Sequence, residues 1–401
     1  MFATPVSTSA TVQIRPAVRA LQPQLVAWRR HLHQRPELGF QEHLTAAFVA
    51  QKLVEWQVPH QTGIAQTGIV ATIAGEMPGP VIGIRADMDA LPIQEANEVP
   101  YRSQHDGIMH ACGHDGHTAI ALGTAHYLMQ HRDRLRGTVK IIFQPAEEGP
   151  GGAKPMIAAG VLQNPKVDSI VGLHLWNNLP LGTVGVRTGA LMAAVECFEL
   201  TLFGKGGHGA MPHQTTDAIV LGVQVVNALQ TIVARNIDPV DSAVVSVGTF
   251  HGGTALNAIA DSVRMSGTVR YFDPKFAGYF GQRIEQVIAG ACQSQDAHYD
   301  LNYWQLYPVL VNDAGATDLV RAIAANVIET PAGVVPECQT MGGEDMAFFL
   351  QEVPGCYFFV GSANPERGLD YPHHHPRFDF DEAALATGVE LFVRCVEQFC
   401  Q

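Results

Sequence analysis

The chain has no basic run. Lys and Arg together number 25 against 38 Asp and Glu, a net charge of −13. With no cationic stretch to neutralise phosphates, this balance argues against a nucleic-acid partner. No apolar window approaches the length needed to span a bilayer, so no membrane segment is expected. Residues Met1–Ala20 lack a continuous apolar core and a cleavage-like end. No secretory leader is therefore expected there, and the first dozen residues read as a frayed tail. Cysteine is scarce: seven residues, odd in number and scattered. That pattern argues against a disulfide framework and points to a reducing cytosol. Internal repeats and low-complexity runs are also lacking. What remains is 401 residues, 47% hydrophobic and 16% charged, a soluble globular protein too long for one ordinary core. Two domains are expected.

Apolar and polar residues recur at helical spacing over Ile14–Arg30 and His117–Leu135. Short β-rich runs cover Gly68–Ile73, Val81–Ala86, Val139–Phe143, Ile170–Leu175 and Cys356–Val360. Strands alternating with helices imply an α/β sheet covered on both faces. The middle of the chain reads differently. Strands are expected at Val195–Phe203, Ala243–Phe250, Asp261–Tyr271 and His298–Trp304, with helices at Thr216–Ala234 and Phe276–Cys292. The order β-α-β-β-α-β is ferredoxin-like. It places an inserted domain at about Gly189–Tyr303, dividing the larger domain into residues 14–188 and 304–401.

Residues 109–117, Met-His-Ala-Cys-Gly-His-Asp-Gly-His, pack one thiol, three imidazoles and a carboxylate into nine positions. Cys112 and His114 are the leading metal-ligand candidates. A thiolate beside an imidazole suits zinc, with manganese, cobalt and nickel left open. His117 opens a helix and is expected to be structural or to support the ligands from behind, Asp115 is expected to support them from behind, and His110 is undecided. Glu147 and Glu148 follow a strand, and adjacent carboxylates on extended backbone point to opposite sides. One can bind metal while the other takes a proton; a solvated acidic turn is the alternative. His174 sits in an apolar strand, where a lone histidine is more often a core residue. Its expected neighbour, the strand before the glutamates, makes it a ligand candidate. Asp87 and Asp89 also follow a strand, and ligand sites in open α/β sheets gather at the carboxyl ends of strands.

Residues 373–376, His-His-His-Pro, form either an exposed polar loop or the closing edge of a metal site. In the inserted domain the glycine-rich loop Gly204–His213 exposes His208, better suited to an oxyanion than to phosphate because GxGxxG spacing is not matched. A second loop, Gly252–Asn257, carries the amide of Asn257. Arg270 lies on the third strand, where an ordinary surface arginine is an equal alternative.

These motifs together resemble the dinuclear metallopeptidase family of aminoacylases and glutamate carboxypeptidases. The resemblance is to its amidohydrolase branch of hippurate hydrolases, N-acetyl-diaminopimelate deacetylases and auxin-conjugate hydrolases. It is carried by His33–Phe40, Arg85–Pro92, Cys112–His117, Phe143–Gly149, Gly206–His213, Met341–Ala347 and His374–Phe380, and runs from about Val26 to Phe392. It implies a mixed-sheet catalytic domain carrying the ferredoxin-like insertion as a lid and dimerisation domain. It further implies two divalent ions per subunit, zinc or manganese foremost, held by Cys112, His114, Glu148, His174 and His374. Glu147 would be the general base, with Asp89 behind the ligands. His208 would donate to the oxyanion across a dimer interface, and Asn257 and Arg270 would lie near the substrate carboxylate. The chain departs from the wider family's His-x-Asp motif, having Asp87 in its first position, and which donor bridges the metals stays open. The implied activity is metal-dependent hydrolysis of N-acyl amino acids in the cytoplasm by a homodimer or larger assembly. A dipeptidase or carboxypeptidase on the same scaffold, or a non-catalytic metal-binding protein, are the alternatives.

Overall fold

The computed structural model describes residues 12–400. Of the stretch expected to fray, residues 1–11 lie outside the described part, and Val12 bridges Ile328. The chain divides into two compact units. One comprises the chain up to Leu191, Val311–Gln339 and the chain from Glu344 onward; the other comprises Met192–Leu310 and Thr340–Gly343.

The first unit is built on an eight-stranded sheet. Its strands are β1 (His60–Ile64), β2 (Gly68–Ala74), β3 (Met77–Asp87), β4 (Arg136–Gln144), β5 (Ser169–Pro180), β6 (Val184–Gly185), β7 (Val334–Val335) and β8 (Gly355–Ala363). They lie in the order β1-β2-β4-β3-β5-β8-β6-β7. The four central strands β4, β3, β5 and β8 run parallel, while β1, β2 and β6 add antiparallel pairs. This is a mixed sheet. The central strands are near-continuous apolar runs, as expected where both faces are covered. The short strands β1, β6 and β7 are additions to the expected set, because they carry too little apolar text to stand out in the sequence.

The helices of this unit include α1 (Gln22–His33), α2 (His43–Glu55), α3 (His114–Gln130), α4 (Ala314–Val327) and α5 (Ala383–Phe399). On β5, Leu175 packs toward Gly116 of α3, whereas Gly172, on the opposite face, meets Tyr357 and Met346. The helix expected over Ile14–Arg30 is in fact two, Pro16–Arg19 and α1. Pro23 is the reason: it offers no N–H to the Arg19 carbonyl, and its ring would clash there. Helix α3 starts three residues earlier than its periodicity suggests. Gly113, at φ 95°, adopts a left-handed conformation that few other residues tolerate, and so lets His114 enter the first turn.

The second unit has strands Ala194–Phe203, Ala243–Gly252, Ser262–Tyr271 and His298–Tyr307, with helices Ala218–Asn236 and Tyr279–Gln293. All strand pairs are antiparallel, with Ser262–Tyr271 and Ala194–Phe203 central. The two helices bury Leu221, Val225, Leu229 and Ile232, and Phe280, Ile284, Ile288 and Cys292. Ala218–Asn236 overturns one sequence expectation. It is long and apolar enough to cross a membrane by length and composition, with 33% of its window buried. The regular burial of one stripe explains its apolarity as that of a helix lying on a sheet.

One buried ionic cluster joins the helices of the first unit. Arg29 on α1 is fully buried and reaches Asp115 at 2.8 Å, Asp379 at 2.7 Å and Glu382 at 3.3 Å. His33 lies between Asp115, at 2.8 Å, and Glu95, at 3.2 Å. Burial and the neighbouring Arg29 push the pKa of His33 down, but its hydrogen bonds to Asp115 and Glu95 outweigh both and raise it to about 9. A histidine raised in the folded state stabilises fully below its unfolded pKa of about 6.5, and that stabilisation is lost as pH rises towards the folded value. The melting-temperature advantage of wild type over His33→Gln is therefore expected to be greatest below about pH 6.5 and to shrink up to about pH 9. Thermal melts across that range check it; a gap that widens with pH contradicts it.

Candidate metal centre

Strands β3 and β4 end side by side at Asp87 and Gln144, and β5 carries His174 two strands from β4. The chain beyond β3 brings in Asp89, the chain beyond β4 brings in Glu147 and Glu148, and the N-terminus of α3 brings in Cys112 and His114. Asp89, Glu147 and Glu148 converge because each follows a strand ending at the same sheet edge, and the start of α3 brings Cys112 and His114 to them.

Hydrogen bonds to the ring nitrogens separate the histidines that can bind metal from those that cannot. His174 Nδ1 lies 2.6 Å from the Leu175 carbonyl and therefore donates, leaving Nε2 directed at Cys112 Sγ, 3.4 Å away. His114 Nδ1 faces the Asp89 carbonyl at 3.0 Å and Asp89 Oδ1 at 3.2 Å. Its Nε2 is buried without a hydrogen-bond partner among the described residues. His117 has both nitrogens engaged: Nδ1 donates to Asp87 Oδ1 at 2.6 Å, and Nε2 accepts the Leu175 N–H at 2.9 Å. It braces α3 against β3 and β5. His373 Nε2 is held by the Leu175 carbonyl at 3.0 Å, its ring stacked on Trp176 at 4.5 Å, and burial lowers its pKa to about 3. His110, undecided from sequence, is buried with neither ring nitrogen hydrogen-bonded among the described residues, and burial lowers its pKa to about 4. It joins none of the donor groups.

Three groups of three donors remain among the described residues: Cys112, His114 and His174; Cys112, Glu148 and His374; and His114, Glu147 and Glu148, the ligand atoms of each lying within 4.8 Å of one another. Cys112 is common to the first two. Glu148 Oε1 lies 3.0 Å from His374 Nε2, an ion-pair distance without hydrogen-bond alignment, and is buried with no hydrogen-bond partner among the described residues. Two donor atoms facing one point without bonding each other, beside an orphaned His114 Nε2 and a thiol, suit a borderline or soft divalent cation. Asp89 organises the rest: its two oxygens accept the Glu147 and Glu148 N–H groups, each at 3.0 Å.

Two further clusters contain the right residue types but are already paired. Asp87 is taken by His117 and by Arg85 Nη1 at 2.6 Å. Beneath Glu147, Arg85 Nη2 reaches Glu344 and Asp345 at 2.8 Å each, Tyr357 donates to Glu344 at 2.6 Å, and Gln144 donates to Asp345 at 2.8 Å. The sequence alone gave Arg85, Glu344 and Asp345 no role. Arg85 carried a signal nonetheless: a charged residue inside an apolar strand, two positions from Asp87 and hence on the same face.

The electrostatics follow from burial among carboxylates. Burial, then Glu344, Glu148 and Asp345, hold the Glu147 carboxyl well above the ordinary range. Burial, then the charges of Glu148, Glu147 and Asp87, raise the pKa of Cys112 well above that of an ordinary thiol. Burial lowers the pKa of His114, but Asp87 and Asp89 prevail and raise it to about 10. Burial holds His174 well below 6.5, in the neutral form that binds metal.

In the second unit, His208 is exposed, in a two-residue strand paired with Ala258–Ile259. Its Nδ1 accepts the Ala210 N–H at 3.0 Å, so Nε2 carries the proton. Asn257 is exposed beside it, its carbonyl accepting the Gly209 N–H at 2.8 Å. Arg270 is half-buried and donates to the Met341 carbonyl at 2.9 Å.

The sequence pattern of Peptidase family M20/M25/M40 matches residues 83–398. The chain is 46% identical over 305 residues to an N-acyl-L-amino acid amidohydrolase of Geobacillus stearothermophilus, covering 76% of this chain and 82% of the relative. It is 38% identical over 375 residues to thermostable carboxypeptidase 2 of Saccharolobus solfataricus, covering 92% and 94%. Its structure resembles that of the Bacillus subtilis YXEP protein, described as a dinuclear metal binding peptidase, with a TM-score of 0.80 at 36% identity, covering 94% of this chain and 98% of that one.

Donors that hold protons must release them to a cation. Adding zinc or manganese to metal-free protein at pH 7 should therefore release one proton from Cys112 and one from His114. Apparent affinity should rise with pH through the neutral range. Calorimetric titration in two buffers of different ionisation enthalpy measures this; binding without proton release contradicts it.

Proposed function

The chain belongs to Peptidase family M20/M25/M40, and from that membership we propose that it hydrolyses the amide bond of N-acyl amino acids, releasing a carboxylic acid and a free amino acid. The observation that carries the reading is the pair of three-donor groups sharing Cys112, with the Glu147 carboxyl beside them. Divalent ions would be held by Cys112, His114 and His174 and by Cys112, Glu148 and His374, two donor sets that share Cys112. Zinc or manganese suits this mixture of thiolate, imidazole and carboxylate, with cobalt and nickel open. Such ions supply a positive charge facing the scissile carbonyl and lower the pKa of water from about 15.7 towards about 7.

The protein's own groups do the rest. Asp89 fixes the His114 ring and the backbone of both glutamates, so these donors are in place before substrate arrives. Glu147 takes a proton from the attacking water and delivers it to the leaving nitrogen. His208, with its proton on Nε2, donates to the developing oxyanion; a donor of this kind is typically worth about 3–4 kcal/mol. Asn257 and Arg270 bind the substrate carboxylate.

The active unit is at least a dimer, with His208 acting on the partner's metals. The edge strand Ala243–Gly252 with exposed Val244 and Phe250, and the helix Ala218–Asn236 with exposed Val220 and Val223, offer an apolar face for a two-fold contact. All seven cysteines are unpaired, which supports a reducing cytoplasm.

Hydrolysis of a panel of N-acetyl, N-benzoyl and indole-acetyl amino acids, alongside carboxypeptidase and dipeptidase substrates, tests the reading. Activity should be lost to a chelator and restored by a divalent ion. Turnover confined to peptides would favour the carboxypeptidase alternative. Glu147→Gln should lower kcat about 100- to 10,000-fold with metal content unchanged.

His208→Ala should lower kcat by about 100- to 1,000-fold, again with metal retained. Mixing it with Glu147→Gln protein under subunit exchange should restore part of the activity. A fully active monomer contradicts the cross-subunit assignment.

A further inference from the structure

Two adjacent glutamates with different tasks need a backbone that cannot rotate, and three successive N–H groups show how it is held. The Glu147 and Glu148 amides donate to the two oxygens of Asp89. The Ala146 amide, one residue earlier, donates to Glu42 Oε1 at 2.9 Å. Glu42 comes from the segment before α2 and is fully buried. Its Oε1 also accepts the Phe40 N–H at 3.0 Å, and its Oε2 accepts the Thr67 hydroxyl at 2.5 Å. Ala146 sits at φ 53°, a left-handed conformation that an L residue keeps only where its surroundings impose it. Contact on the other side is equally close. A Cβ added to Gly39 would lie 2.8 Å from the Gly149 carbonyl oxygen and 3.0 Å from Ala146 Cβ.

We propose that Glu42 is a positioning residue for the reaction: by holding the Ala146 amide it locks the turn that sends Glu148 toward His374 and Glu147 toward His114. The inference rests on the proposed function, since it assigns those glutamates their tasks. Glu42 touches no donor atom of either group; it acts through the backbone. What the turn requires is an acceptor, because another negative charge beside an already acidic centre would be of no use to it. A glutamine meets that requirement. Its Oε1 still accepts both amides, and the Thr67 hydroxyl can reverse to accept from its NH2 group.

The test compares Glu42→Ala and Glu42→Gln with wild type, using an N-acetyl amino acid for kinetics and zinc in competition with a chromogenic chelator for binding. Glu42→Ala should lose about 100-fold in kcat with KM changed by less than about threefold, as a misplacement near 1 Å entails. It should bind one of its two zinc equivalents about tenfold more weakly, while Glu42→Gln stays close to wild type in both measurements. Wild-type kcat and zinc affinity in Glu42→Ala would overturn the proposal. So would equal impairment of the two variants, which would make the charge, not the acceptor, the active feature. If Glu42→Ala does not fold, Glu42→Asp replaces it: one methylene too short to reach Ala146, it should be impaired, and full activity overturns the proposal. If wild type hydrolyses none of the panel, the proposed function fails separately, and zinc competition alone decides the role of Glu42.

Discussion

Negative charge crowded into the low-dielectric region beside the ends of β3 and β4 is the constraint from which the rest of the centre follows. Asp87, Asp89, Glu147, Glu344 and Asp345 are all buried there, and Arg85 is the guanidinium set among them. One cation cannot neutralise five carboxylates, and unpaired buried charge is strongly unfavourable. Part of the excess is absorbed by hydrogen bonds: His117 on Asp87, Tyr357 on Glu344, Gln144 on Asp345, and two backbone amides on Asp89. The remainder shows as raised proton affinity at Glu147, Cys112 and His114. Stability and cation binding are thus one electrostatic question here. The surroundings that make protons stick to these groups are those that would make a divalent ion replace them.

Much of this was legible in the sequence, for a definite reason. Apolar runs mark central strands, and a polar residue just after such a run lands at the sheet edge where sites form. Glu147 and Glu148 after Val139–Phe143, and Asp87 and Asp89 after Val81–Ala86, could be placed on that ground alone. The two helices and four strands of the second unit were legible through their period. The choice among histidines was legible only in part. His114 was expected as a ligand and His117 as structural, but His110 stayed open, and the spatial neighbours of the ring nitrogens are what distinguish it. Glu42 was hidden for the same reason, because nothing in the text near position 42 announces an amide 104 residues away. Local steric effects were missed when a single residue overrode the pattern, as Pro23 did in dividing the first helix.

Asp89 and Glu42 also show how a site made of loop residues can be rigid. Loops ordinarily lack the repeating hydrogen bonds that stiffen helices and strands. The stretch from Ala146 to Glu148 has substitutes for them, since each of its three amides is fixed to a buried carboxylate. Those carboxylates belong to other segments of the chain, so the turn takes its geometry from the sheet and from the segment before α2, not from its own sequence.

His374 differs from the other donors. It sits on left-handed backbone at φ 66° with 52% of its side chain exposed, whereas Cys112, His114 and His174 are all buried. An ion seated among those three buried side chains could leave only if neighbouring structure opened. An ion seated against Glu148 and His374 would have solvent at its shoulder. The two positions would therefore differ in exchange rate far more than in chemistry. Once filled, the inner position would hold its ion, while the outer one would follow the concentration outside.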